Sequence, residues 1–169
     1  MTIKNIKSFQ KQLDKYLNQN PSKNAKKAVG RGVMLVKGTA QESITAGGKS
    51  GIEYQKYNPR RIHRASKEGE APASDTGFLV ANISMNVKTE TDGSVVGQII
   101  SSAPYSKFLE FGTVEIQPRP FMQPALEKNK KKIINIFKQE GVIKWALVNL
   151  HYNPQFLVHS TMTIHLQIH

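Results

Sequence analysis

Residues 103–126, APYSKFLEFGTVEIQPRPFMQPAL, join a predicted helical turn to a predicted long helix through a stretch that cannot be helical. Tyr105 to Phe111 predicts the short turn, and Gly112 ends it because glycine adopts the backbone that terminates a helix. Two prolines further along hold the chain extended, since proline fixes its own backbone and restricts the preceding residue. The stretch therefore predicts a helical turn followed by an extended segment.

The residues that follow this extended segment predict a helix over Phe121 to Gln139. Apolar side chains recur there at helical spacing, and four lysines fall on the other side. We expect the core-facing residues to be Phe121, Leu126, Ile133, Ile134 and Phe137.

The tail, residues 141–169, has one lysine and no acidic residue. Residues 161–169 alternate polar with apolar, and residues 148–152 repeat that alternation, which is the period of a strand. We therefore divide the chain into a domain, 1–140, and a C-terminal extension, 141–169. The extension is expected to form a β-hairpin, or an arm that adds a strand to a neighbouring subunit.

Two amphipathic helices are predicted near the N-terminus. Residues 3–17 carry an apolar stripe with lysines opposite it. Asn20 then reads as an N-cap, with Pro21 at the first position of a second helix that Gly47 and Gly48 terminate. The core face of this second helix is expected to contain Ala25, Ala28, Val29, Val33, Val36, Ala40 and Ile44.

Residues 49–76 are polar and interrupted by glycine and proline. They predict one short strand, Ile52 to Tyr57, and then a long loop. Asp75 or Thr76 is expected to cap a short helix over Gly77 to Ile83.

A hairpin follows, because residues 85–89 and 95–101 flank a Thr-Asp-Gly turn. The fold class is α+β. Long N-terminal helices pack on a small antiparallel sheet, followed by a C-terminal helix and a β-like C-terminal arm.

The formal net charge of the 169 residues is +12, and it is unevenly distributed. Residues 1–70 carry +10, residues 71–127 carry −3 and residues 128–169 carry +5. The basic part could face a polyanion such as DNA, or copies of the chain could attract one another head to tail. The lysine-rich faces could equally be only solvated.

Composition excludes several classes of protein. The chain has no cysteine, which excludes a disulfide scaffold, a thiolate zinc site and a cysteine nucleophile. No apolar run approaches the roughly 18 residues of a membrane span, so we expect no membrane partner.

A basic loop is predicted within residues 49–76, with tyrosine and histidine between its cations. Such a mixture suits contact with the phosphates and bases of nucleic acid, although a solvated loop has the same composition. No helix-turn-helix, zinc-finger or RNA-recognition signature is present, so any contact would be to the DNA backbone. The candidate DNA-facing residues are Arg60, Arg61, Arg64 and Lys67.

None of the candidate catalytic motifs in the sequence is complete. Asp75-Thr76-Gly77 matches the aspartic-protease motif, but that chemistry needs two carboxylates that share a proton, and a loop precedes this one. Gly48-Lys49-Ser50 resembles the end of a phosphate-binding loop, but Ser43 stands where the motif needs glycine. No carboxylate lies near the C-terminal histidines to complete a zinc site. We expect no enzyme, no cofactor and no metal; these histidines are His151, His159, His165 and His169.

Two segments carry a family resemblance. Residues 63–83 contain Thr76-Gly77 followed by Leu79 and Ile83, and residues 103–126 contain Glu-Phe-Gly-Thr, then Arg-Pro-Phe and Pro-Ala-Leu. In order and spacing they resemble the neck, or tail-completion, proteins of long-tailed bacteriophages and prophages. The likeness covers about residues 21–139. Asn82 stands where a serine is usual, and the tail has no counterpart.

The resemblance implies a non-enzymatic structural virion protein at the head–tail junction, as a neck, tail-completion or tail-terminator subunit. It implies a homo-oligomeric ring, with a hexamer favoured by analogy, that joins the DNA-filled head connector to the tail tube. Its partners would be a portal, adaptor or stopper protein on the head side and a tail tube or terminator protein on the tail side. Genomic DNA would make a passing contact, and assembly would occur in host cytoplasm. The alternative function is a sequence-nonspecific nucleic-acid-binding accessory protein.

The resemblance also implies which residues form the motif. Phe111 and Phe121 are expected to be core or interface anchors, and Glu110 is expected to pair with Arg119 within or between subunits. These residues could instead stabilise only the monomer. The candidate interface residues are Tyr105, Phe108, Glu110, Phe111, Gly112, Thr113, Arg119, Pro120, Phe121 and Pro124.

Overall fold

The computed structural model describes residues 21–91, 93–142, 146–153 and 160–168. The helix predicted over residues 3–17 and its Asn20 boundary lie outside these ranges. Four helices lie in the described part: α1 Pro21–Thr45, α2 Phe78–Ala81, α3 Ser106–Phe111 and α4 Met122–Gln139. The strands there are β1 Glu53–Tyr57, β2 Arg60–Arg64, β3 Ile83–Thr89, β4 Val95–Ser101, β5 Ala146–Asn153 and β6 Ser160–Ile168.

The strands form two antiparallel sheets, and together with the helices they confirm the α+β class. β1 and β2 form a two-stranded sheet, and the larger sheet has the order β3-β4-β6-β5. The hairpin predicted around the Thr-Asp-Gly turn is β3–β4, with Ile83 opposite Ser101 and Thr89 opposite Val95.

The tail forms a β-hairpin, as its alternation predicts. β5 pairs antiparallel with β6, and β6 pairs along β4 from Val95↔Leu166 to Ser101↔Ser160. The arm thus extends the sheet of its own chain, and β5 lies at an edge of that sheet. The division at residue 140 and strand addition to a neighbour stay predictions.

The core lies between α1, α4 and the larger sheet. α1 spans Pro21–Thr45 and ends before the two glycines, as expected. All seven residues predicted for its core face are buried. On α4, Phe121, Leu126, Ile133 and Phe137 are buried, but the assignment of Ile134 is wrong because its side chain is exposed. A helix turns about 100° per residue, so Ile134 points away from the face that Ile133 occupies.

The predicted long loop after Tyr57 is also wrong in part, because it contains β2. β2 pairs with β1 from Glu53↔Arg64 to Tyr57↔Arg60, and the connecting turn holds a cis Asn58–Pro59 bond. The sequence of β2, Arg-Arg-Ile-His-Arg, has one apolar residue, so it lacks the alternation that identifies a half-buried strand.

The expected cap of the short helix needs correction. α2 begins at Phe78, with Gly77 at the N-cap in the left-handed conformation (φ 77°). The hydroxyl of Thr76 accepts the Phe78 N–H at 3.3 Å, whereas Asp75 binds cations of the β1–β2 hairpin. The helix ends at Ala81 and Ile83 already begins β3, which shortens the predicted range.

One glycine sets how closely α1 approaches the sheet. A Cβ atom on Gly97 of β4 would lie 2.5 Å from Cγ1 of Val29 and 2.6 Å from Cγ1 of Val33. Both valines are fully buried, so they have no room to move aside. The contact between α1 and β4 therefore requires glycine at position 97.

Gly97→Ala should destabilise the protein by about 1–3 kcal/mol, the usual cost of overpacking a core. The matched control is Gly38→Ala in α1, where an added Cβ has no neighbour within 4 Å. This control should gain up to about 1 kcal/mol from helix propensity. Chemical denaturation measures both, and equal stabilities of the two variants would contradict the close-packing argument.

Candidate assembly surface

The two motif segments meet in space. The Gly69 N–H donates to the Pro118 carbonyl at 2.9 Å, and Nε of Arg119 donates to the Ser66 carbonyl at 3.2 Å. A cleft of about 330 Å³ opens where they join, with lining residues that include Tyr54, His63, Asp75, Phe78 and Tyr105. The residues that carry the family resemblance thus form one continuous region.

Glu110 caps the long helix from inside the fold. Its buried carboxylate accepts the backbone N–H groups of Phe121 and Met122 through Oε2, at 2.9 and 3.1 Å, and that of Gln123 through Oε1, at 2.9 Å. A carboxylate at this position also complements the positive end of the α4 dipole. Glu110 therefore fixes α3 against the start of α4.

The expected ion pair between Glu110 and Arg119 is not formed within the described chain. Glu110 is saturated by backbone N–H groups, and Arg119 instead binds Ser66 and donates its own N–H to the Leu109 carbonyl at 2.7 Å. Arg119 therefore joins the two motif segments, with no contact to Glu110.

Gly112 and Thr113 shape the loop after α3. Gly112 has φ 76°, and a Cβ there would lie 2.6 Å from the Ile116 carbonyl oxygen. The Thr113 hydroxyl accepts the N–H groups of Glu115 and Ile116 at 3.2 and 3.0 Å. These two motif residues stabilise a tight turn over 113–116.

Phe121 is a core anchor, with 1% of its surface exposed. Pro120 and Pro124 flank it and line a cavity of about 300 Å³ between α4 and the C-terminal end of α1. This part of the motif therefore supports the fold.

The remaining aromatic residues of the motif are exposed. Tyr105 is the N-cap of α3 and lies three residues before Phe108, so the two share a face, and the ring of Phe78 lies 6.2 Å from that of Tyr105. We name these three residues the aromatic stripe. Phe108 is 52% exposed, while Ser106 and Glu110 on the other side of α3 are buried. Phe111, beside the stripe, is also exposed.

Phe78 belongs to this surface although sequence reasoning did not select it. Its position could have indicated this exposure, because Phe78 is the first residue of a four-residue helix in which only Leu79 is buried. A helix that short cannot bury both neighbouring apolar side chains, because they point about 100° apart.

The β1–β2 hairpin is held against the body by Asp75. The carboxylate of Asp75 binds Lys56 and Arg61, and Nδ1 of His63 lies 3.8 Å away. The hydrogen bond from Lys56 is the main cause that lowers the pKa of Asp75, and the charge of Arg61 adds to it. We name this cluster the Asp75 latch.

The four candidate DNA-facing residues are not gathered into one cationic site. Arg61 is bound in the Asp75 latch, and Arg64 pairs with Glu53. Arg60 lies at the turn end of the hairpin, while Lys67 follows its opposite end. Contact of these residues with DNA stays a prediction.

Two further results concern the described residues alone. Within them, no group of three or more histidine, aspartate and glutamate side chains could hold a metal ion. None of the described helices combines the length and apolarity that crossing a bilayer requires. The side chains of the C-terminal histidines lie outside the described part.

Glu110→Ala should lower the free energy of unfolding by about 2 kcal/mol or more, because it leaves three helix N–H groups without their charged acceptor. The matched control is Glu115→Ala on the exposed neighbouring loop, which should change stability by no more than about 0.5 kcal/mol. Urea denaturation distinguishes them. Equal stability of the Glu110 variant and the wild type would show that the cap contributes nothing.

Asp75→Asn should release the hairpin without unfolding the core. Since the pKa of Asp75 is lowered, its stabilising contribution is present above the ordinary aspartate range and is lost as pH falls through the lowered value. In the wild type, protection of the β1 and β2 backbone amides from hydrogen exchange, measured by NMR, should thus persist from about pH 7 to pH 5. The Asn variant should show shifted hairpin signals already at neutral pH, and unshifted signals there would refute the latch.

Comparison with known proteins gives a family match. A family model described as "Bacteriophage HK97-gp10, putative tail-component" matches residues 7–112. Among curated proteins and among solved structures, none matches the chain significantly. The matched region includes the hairpin, the Asp75 latch, α2 and α3, and thereby the whole aromatic stripe. Since it spans more than half of the sequence, the chain belongs to the HK97-gp10-like family of bacteriophage tail components.

Proposed function

We propose that this tail component is a non-enzymatic structural subunit of the bacteriophage head–tail junction. It forms a homo-oligomeric ring, with six subunits favoured by analogy with tail symmetry, that joins the head connector to the tail tube. Its neighbours are a portal, adaptor or stopper protein on the head side and a tube or terminator protein on the tail side. The observation that carries the proposal is the exposed aromatic stripe within the family motif.

The motif divides into two groups of residues with different physical roles. Glu110, Gly112 and Phe121 are committed to caps, turns and the core. Tyr105 and Phe108 leave large aromatic surface in water, although the same helix buries its opposite side. Clustered exposed aromatic side chains mark protein interfaces, where they dominate binding energy.

The contacts that hold α3 in place favour tight association through the aromatic stripe. α3 is fixed to α4 by the Glu110 cap and to the extended segment by the Arg119 N–H bond to Leu109. A surface that is ordered before binding loses little conformational entropy when a partner docks. The stripe is thus suited to repeated, identical contacts of the kind that build a closed ring.

The charges of the hairpin favour assembly over DNA binding as its main role. Two of the four candidate DNA-facing cations are paired within the chain, which leaves fewer charges to release counterions from DNA. A passing contact with genomic DNA belongs to the proposal, through Arg60 and Lys67.

Phe108→Ala should weaken self-association at least about tenfold, since it removes an exposed aromatic anchor. Its melting temperature should match that of the wild type, because Phe108 is not part of the core. Phe121→Ala should instead cost about 3–5 kcal/mol of stability. Met34→Ala, an exposed position on α1, is the control that should change neither.

Mass photometry across a concentration series measures the association, and thermal unfolding measures the stability. A wild-type chain that stays monomeric at all concentrations would contradict the ring. Normal oligomers of the Phe108 variant would contradict the role of the stripe.

A further inference from the structure

The β1–β2 hairpin has one face toward the body and one toward solvent. In its register Tyr54 pairs with His63 and Lys56 with Arg61, and these four residues face the cleft and the Asp75 latch. Successive side chains of a strand alternate between faces. The outer face therefore carries the pairs Glu53↔Arg64, Gln55↔Ile62 and Tyr57↔Arg60, and the first of these is an ion pair.

Two large side chains with apolar surface stand in solvent on this outer face. Tyr57 is 82% exposed and Ile62 is 67% exposed. The side of a sheet that faces water ordinarily carries polar residues. The Asp75 latch holds the opposite face, which presents the outer face in a fixed orientation.

We propose that the outer face of the hairpin docks on the aromatic stripe of a second copy of this chain. The inference rests on the proposed function, because it names the partner of the same stripe. Ile62 and Tyr57 supply apolar surface to the stripe, and the guanidinium of Arg60 stacks on its rings in a cation–π contact.

Charge complementarity points to a second copy as the occupant. Residues 53–64 of the hairpin include four basic residues and one acidic residue, and the range 71–127, which contains the stripe, has a net charge of −3. Exposed Glu115 follows the stripe on the 113–116 turn, where it can attract Arg60 of the neighbour. Within one chain the contact cannot form, because the latch turns the outer face away from the body.

The two surfaces differ, so the contact is heterologous. Each subunit gives its hairpin to one neighbour and receives the hairpin of another, and a constant rotation closes such contacts into a ring. Head-to-tail contacts of this kind are the geometry that the proposed ring requires.

The absence of cysteine allows a direct test, because introduced thiols would be the only ones in the chain. The test protein is the full chain with Ile62→Cys and Phe108→Cys together, oxidised at a concentration where size-exclusion chromatography shows that this double variant is itself oligomeric. Non-reducing electrophoresis should show a ladder of covalent oligomers. The matched control combines Ile62→Cys with Met34→Cys and should show no ladder. Met34 is 60% exposed but lies on α1, outside the stripe.

Each single cysteine variant completes the experiment. Neither should form covalent dimers, because a head-to-tail contact never brings two copies of the same position together. Dimers of either single variant would overturn the proposal in favour of a symmetric contact. Intact oligomers without a ladder would overturn the hairpin assignment alone, whereas absence of oligomers in the wild type would overturn the proposed function with it.

A second pair of variants keeps the test independent of thiols. Arg60→Glu and Tyr57→Ala should each weaken self-association at least about tenfold while the melting temperature stays unchanged, since both side chains are exposed. Wild-type association of both variants would overturn the proposal.

Discussion

The carboxylate of Glu110 is the contact on which the rest of this structure depends. It accepts three N–H groups at the start of α4 while its own helix, α3, displays Phe108 of the aromatic stripe on the opposite side. One buried side chain thus joins the core, to which Phe121 and α4 contribute, to the exposed aromatic stripe. Loss of the cap would disturb both, because it removes the bridge between α3 and the start of α4.

The segment 103–126, of which the family match covers residues 103–112, therefore combines a structural requirement and a surface requirement. Gly112, Glu110 and Phe121 stand where the backbone, a helix end or the core admits few alternatives. Tyr105 and Phe108 meet no such constraint within the chain, and their exposure is what an assembly subunit needs. The hairpin follows the same division, with a latched inner face and an exposed outer face.

Much of the fold can be predicted from the sequence, because the spacing of apolar residues and the residues that end helices and strands are visible there. The apolar face of α1, the β3–β4 hairpin and the tail hairpin follow from spacing and turn residues. β2 does not, since its pairing depends on β1 and on the distant Asp75, and a polar strand carries no period-two signal. The sequence identifies Glu110 as a motif residue but does not reveal its role as a cap. That role depends on the fold, which brings the start of α4, 12 residues later, beside its carboxylate.

The most direct test of the account is a cryo-electron microscopy structure of the purified oligomer. The account predicts a closed ring in which Tyr105 and Phe108 are buried at every subunit contact, against the outer face of the adjacent β1–β2 hairpin. A ring in which the aromatic stripe faces solvent, with subunits joined through other surfaces, would contradict it.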